Sequence, residues 1–229
     1  VKPEDVPLNL RASDTSTHSM TLSWTPPIRL NPINYRVSFD AIKEFVDSQG
    51  ITQTQIVPRR VITLDPQSTL TTIDELQPFT TYNVNVSAVP PDSSYKPPAK
   101  ITVTTQMAAP KPMVKPDFYG VANGETIQVI LPQASEEYGP IAYYLLIVVP
   151  EDRNTANKQP DEFTEDMIIG NKQDRETAPY IAAKFSHRAI PYTFHLGSNE
   201  EIGGFVNKKL EPKKRYRIFV RAIVDTPKT

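Results

Sequence analysis

Three histidines, no cysteine and scattered carboxylates bound the chemistry open to this 229-residue chain. His18, His187 and His195 lie far apart, and none pairs with another ligand at metal-binding spacing. They read as ordinary surface or core histidines. Without cysteine there is no thiolate nucleophile, no disulfide framework and no cysteine-ligated metal. Glu136-Glu137 and Glu200-Glu201 are adjacent carboxylates. On a strand, neighbouring side chains point to opposite faces, so neither pair can act as a matched acid and base. The expectation is a chain with no catalytic residues, no cofactor and no metal.

Two other patterns bear on modification and binding. Asn85-Val86-Ser87 is an acceptor sequence for N-glycosylation. Tyr82, Val84, Val86 and Ala88 alternate around it, so Asn85 belongs to the opposite, wet face of the strand. That orientation permits a glycan, and an unused match remains the alternative. Lys208, Lys209, Lys213, Lys214, Arg215 and Arg217 form a basic cluster. It could contact a sulfated glycan or lipid headgroups. The alternative is a solvated edge that discourages strand pairing. Glu200, Glu201 and Glu211 interleave nearby and favour the solvated edge.

The elements that position these residues are strands. Charge is nearly balanced, at 25 basic against 26 acidic residues, so no global field draws the chain to nucleic acid or an anionic membrane. There are 23 prolines and 8 glycines, and the prolines punctuate short alternating runs as turns and strand edges do. Residues 20–24, 35–39, 59–64, 70–73, 82–89 and 101–105 read as one series of strands. Residues 118–121, 126–131, 143–149, 180–185, 192–196 and 215–224 read as a second. Between them, MAAPKPMVKP at 107–116 marks a domain boundary. The two domains are placed at 1–107 and 108–229. Residues 41–53 fit either a single helical turn or an elongated hairpin. The polar insertion at 151–178 predicts a short amphipathic helix over Asp161–Ile169, with Phe163 and Met167 on one side. Ile141–Val149 is too short to span a bilayer. Both faces of 143–149 are apolar: one meets the core, and the insertion helix is expected to cover the other.

One pattern recurs. Leu76-x-Pro78-x-x-x-Tyr82 returns as Leu210-x-Pro212-x-x-x-Tyr216, and each tyrosine heads an alternating strand. A buried tyrosine needs a partner for its hydroxyl. At the head of such a strand it can reach back to a backbone group upstream and pin the turn, the tyrosine corner of Greek-key sandwiches. The two tyrosines lie 134 residues apart, longer than a standard sandwich of about 100 residues, and the insertion supplies most of the excess.

These landmarks resemble the fibronectin type III family. Domain one has Trp24 in SMTLSWTPP, Tyr35 in NYRVSF and the element ending at Tyr82. In domain two, Ile130 or Leu131 takes the place of Trp24. GPIAYYLLIVVPEDR, PYIAAKF and YTFHLGSNEEIGGFVNKKLEPKKRYRIFVRAI are similar to the membrane-proximal type III domain of LAR-type receptor protein tyrosine phosphatases. The fold expected is all-β: two tandem sandwiches, the second with a short helical insertion.

The resemblance implies an extracellular, non-catalytic stalk of a plasma-membrane receptor used in cell adhesion and axon guidance. Its phosphatase domains and transmembrane segment would lie outside this stretch. The partners implied are other domains of the same receptor and a protein or sulfated-glycan ligand. A protein-binding pair from another adhesion receptor is the alternative. LAR-type relatives often carry a multibasic convertase site in the insertion; here Lys172 and Arg175 are isolated, so no cleavage is expected. The sequence reaches DTPKT before the last strand expected of domain two.

Overall fold

A computed structural model describes residues 3–122, 126–151, 158–169 and 178–224. The chain divides into two compact units, the first built largely from residues up to Ala109 and the second from Pro110 onward. The segment that holds Lys172 and Arg175 lies outside the described residues.

The first unit is a two-sheet sandwich. Strands β1 (Leu8–Ser13), β2 (Met20–Thr25) and β5 (Leu70–Ile73) form one sheet, in the order β1-β2-β5. Strands β3 (Asn34–Val46), β4 (Thr52–Leu64), β6 (Thr81–Val89) and β7 (Ala99–Thr104) form the other, in the order β4-β3-β6-β7. All pairings are antiparallel. The period-two pattern sets which side chains enter the core. Met20, Leu22 and Trp24 from one sheet meet Tyr35, Val37, Phe39, Tyr82, Val84 and Val86 from the other. Trp24 and Tyr35 pack at a ring-centroid distance of 5.4 Å. Residues 41–53 resolve as an elongated hairpin: β3 and β4 stay paired out to Val46 and Thr52, and the Asp47 carboxylate closes the turn onto the Ile51 N–H. The helical offsets of Ile42 and Phe45 carry no weight there, because Ile42 stands exposed opposite an exposed Ile56.

The second unit repeats the plan. Strands β8 (Asp117–Ala122), β9 (Thr126–Ile130) and β12 (Thr193–Leu196) form one sheet in the order β12-β9-β8. Strands β10 (Ile141–Pro150), β11 (Tyr180–Ser186) and β15 (Tyr216–Val224) form the other in the order β11-β10-β15. Ile127, Val129 and Leu131 follow one face inward, so Leu131 occupies the place Trp24 has in the first unit. Among the described residues this sheet ends on β15, whereas its counterpart β6 continues into β7.

A small hairpin of β13 (Glu201–Ile202) and β14 (Phe205–Val206) lies against β11. Its turn uses Gly203 and Gly204, both at positive φ, the pair that a two-residue hairpin turn demands. A Cβ at Gly203 would sit 2.4 Å from the Lys184 carbonyl oxygen, so no larger residue fits.

The insertion differs from expectation. In place of one helix over Asp161–Ile169 there is a 3₁₀ turn over Pro160–Glu162, then helix α1 over Glu165–Ile169. Phe163 is extended between them. Thr164 is a better cap than helix-interior residue, and its hydroxyl accepts from the Met167 N–H. The break lets Phe163 turn inward. Phe163 and Ile168 then cover Ile147, Val149, Ile181 and Phe219 on the outer side of the β11-β10-β15 sheet. Tyr144, Leu146 and Val148 face the main core on the other side. The expected cover therefore exists: Phe163 and Ile168 are buried in it, and Met167 packs half-buried against them.

Candidate functional site

The two tyrosines sit on equivalent strand heads. The Tyr82 hydroxyl accepts a hydrogen bond from the Gln77 N–H at 2.8 Å. The Tyr216 hydroxyl accepts one from the Glu211 N–H at 3.0 Å. Each bond spans five residues and closes the loop that precedes the strand. Their surroundings differ. Tyr82 is buried against Phe39 in an edge-to-face contact at 6.2 Å. Burial raises its pKa, opposed in part by the Gln77 hydrogen bond and the Arg60 charge. Tyr216 is only half-buried, because the loop it pins, Glu211–Arg215, is exposed throughout. It lies beside Tyr180, whose hydroxyl is held well above its ordinary pKa by burial and by Tyr216.

The basic residues are in the β14–β15 loop and its edge, and their immediate surroundings differ. The Lys208 ammonium lies 4.9 Å from the centre of the Tyr180 ring. Lys214 pairs with Glu211 at 2.6 Å. Lys213 adopts a left-handed backbone at φ 67°. Lys209 and Arg215 are exposed. Lys208, Lys214 and Arg217, the last over the Phe163 ring at 5.7 Å, thus already have partners.

Asn85 stands on central strand β6, half-buried on the outer face of the four-stranded sheet. Ser38 of β3 lies directly across from it on one side and Lys100 of β7 on the other. Val84 and Val86 beside it point into the core. Next to it opens a groove of about 290 Å³, lined by Arg36, Ser38, Arg59, Ser87 and Tyr95 among others.

Two side chains that sequence reasoning passed over organise the second unit. Arg221 donates through Nη2 to the carbonyl oxygens of Pro160 at 3.1 Å and Phe163 at 2.9 Å, which ties the insertion to β15. The signal was the alternation itself: Phe219 and Arg221 share the outer face of β15, and an apolar Phe219 there requires a cover. Asn207 is fully buried and fully bonded. It accepts from the Gly197 N–H at 2.9 Å and donates to the His195 carbonyl at 2.8 Å and the Ser198 hydroxyl at 3.0 Å. Nothing in its local sequence marks it, since its partners come from 9 to 12 residues upstream.

The histidines stay apart. His18 Nδ1 lies 2.8 Å from the Leu76 carbonyl, and His195 Nε2 lies 3.4 Å from the Gln128 amide nitrogen. Among the described residues no three His, Asp or Glu side chains converge on a metal-sized site. No helix among them is long and apolar enough to cross a membrane.

Comparison with known proteins places this geometry. Residues 5–105 match the family model of the fibronectin type III domain. Residues 116–227 match that of the receptor-type tyrosine-protein phosphatase U Fn3 domain. Tyrosine-protein phosphatase Lar of Drosophila melanogaster is 70% identical over 229 residues, covering 99% of this chain and 11% of that protein. Receptor-type tyrosine-protein phosphatase S of Gallus gallus is 26% identical over 244 residues, covering 97% of this chain and 14% of that protein. This chain therefore spans a small part of the length of these relatives. Among solved structures, the FN5 domain of Drosophila Lar is 20% identical, with a TM-score of 0.34, over 46% of this chain and 99% of that one.

Proposed function

This chain belongs to the LAR-type receptor protein tyrosine phosphatases, as two of their fibronectin type III domains, and we propose that it is the extracellular stalk that spaces and orients the receptor's outer ligand-binding domains in cell adhesion and axon guidance. The observation that carries this reading is the 70% identity to Lar across 99% of the chain. Residues 5–105 and 116–227 match fibronectin type III domains, and the contribution read from them is mechanical. Its partners are the neighbouring domains of the same receptor, and its place is outside the plasma membrane.

The fold suits that work. Each unit is built on a buried core without a disulfide. In each, a tyrosine hydroxyl ties the loop before a strand to that strand, which stiffens the turn. The insertion adds a second apolar layer on the outer side of the second unit.

The test replaces the two domains in the full receptor with a flexible Gly/Ser linker of similar reach. Surface delivery and ligand binding by the outer domains should persist, while ligand-dependent adhesion and axon targeting decline. Loss of ligand binding itself would overturn the spacer reading and make the pair a binding module.

A further inference from the structure

We propose that Asn85 carries an N-linked glycan whose first sugars lie in the groove beside it on the outer face of the first domain. This rests on the extracellular reading above and goes further, to a modification site and the surface that receives it.

The register puts acceptor and groove in one cell of the sheet. Asn85 faces Ser38 across the β3–β6 pairing, and Ser87 faces Arg36 two residues on. Ser87, the hydroxyl residue of the acceptor sequence, itself lines the groove. Val61 lies across from Ser38 on β4 and supplies an apolar floor. Arg59 donates to the Ser38 hydroxyl at 3.2 Å, which holds its guanidinium over the sheet. Arg36 has no hydrogen-bond or ion-pair partner among the described residues, so its five donors are open.

The far wall is the loop after β6, and that loop is ordered. The Ser93 N–H bonds the Pro90 carbonyl at 3.0 Å, and the Ser94 N–H bonds the Asp92 carboxylate at 3.0 Å. Lys96 pairs with Asp5 at 3.2 Å. Tyr95 stands between these anchors, 84% exposed, at the groove's edge.

This chemistry matches a sugar better than an apolar partner. Guanidinium and serine donors suit the hydroxyls and N-acetyl carbonyl of a hexosamine, and an open phenol ring suits its C–H face. At about 290 Å³ the groove is at the small end of ligand pockets, which run to roughly 1,000 Å³. A glycan tethered at its border needs little intrinsic affinity, because the tether sets a high effective concentration. The attachment precedes folding, while β6 is still unpaired. The Asn85 amide nitrogen bonds the anomeric carbon of the first N-acetylglucosamine of a lipid-pyrophosphate-linked oligosaccharide. The lipid pyrophosphate leaves with the former C–O electron pair, and the amide gives up a proton. Folding then brings Arg36, Ser38 and Tyr95 around the sugar.

The experiment secretes the chain from glycosylating cells and follows glycan release by peptide N-glycosidase under native conditions. Wild type should lose one glycan's mass, and Asn85→Gln should lose none at this site. Native release should be about fivefold slower in wild type than in the double variant Arg36→Ala/Tyr95→Ala, which corresponds to a glycan seated for about four-fifths of the time. After denaturation the two rates should match. Both substituted side chains are exposed, and equal thermal stability of the deglycosylated proteins checks that the fold is intact. A secreted chain with Asn85 unmodified, or equal native rates for the two proteins, overturns the proposal. Neither result touches the spacer reading, which the linker replacement tests separately.

Discussion

Removing one oxygen from Tyr82 leaves its ring in the core and the Gln77 N–H without its acceptor. Tyr82→Phe should therefore lower the stability of the first domain by ~1–2 kcal/mol, the scale of a buried hydrogen bond lost from one side. Tyr216→Phe should cost the second domain less, because its hydroxyl and the Glu211 N–H lie where water can take over the bond. Urea denaturation of both variants checks this, and equal costs would mean that the two corners do the same work despite their different burial. The repeat Leu-x-Pro-x-x-x-Tyr made both hydroxyl contacts legible, since strand alternation and a five-residue reach are local properties. The difference in burial was not legible. It depends on what packs over each tyrosine, and that is decided by Phe39 in one domain and an open loop in the other. Asn207 was illegible for the same reason: its value lies in three partners brought to it by the hairpin at Gly203-Gly204.

The insertion shows what an element owes to its surroundings. Residues 160–169 carry helix signals at both ends, yet a 3₁₀ turn and a five-residue helix form instead. A helix that short is not stable from propensity alone. It is held by Phe163 and Ile168 on the sheet and by Arg221 on two carbonyls. The need for a cover was readable from β10, which is apolar on both faces. The break at Phe163 was not, because it follows from the tertiary contact with Phe219 at 5.7 Å between ring centres. If Arg221 is the clasp, Arg221→Met should lower the stability of the second domain by ~1.5–3 kcal/mol, the range for hydrogen bonds to a charged donor. It should also speed proteolysis within 158–169, while the unfolding of the first domain stays unchanged. Unaltered protease resistance in that segment would show that the apolar contacts hold it without the clasp.

At the scale of the whole molecule, the same device recurs in both domains: tyrosine hydroxyls buried at strand heads and strand centres. Tyr82 and Tyr35 in the first domain, and Tyr144 and Tyr180 in the second, all have pKa values raised chiefly by burial. Tyr144 also accepts from the Ala134 N–H at 3.1 Å, and Tyr180 is raised further by neighbouring Tyr216. A raised pKa means that the folded state holds the proton more tightly than the unfolded chain. Each group's contribution is thus complete below the ordinary tyrosine value of about 10 and is lost as pH climbs from there toward the folded value. Both domains should accordingly keep a level urea midpoint up to about pH 9.5 and weaken together above about pH 10. Tyr180→Phe should flatten that alkaline slope in the second domain only, leaving the first to weaken as before. Midpoints that stay level through pH 11 would mean that these hydroxyls ionise as freely folded as unfolded, and that burial does not govern them.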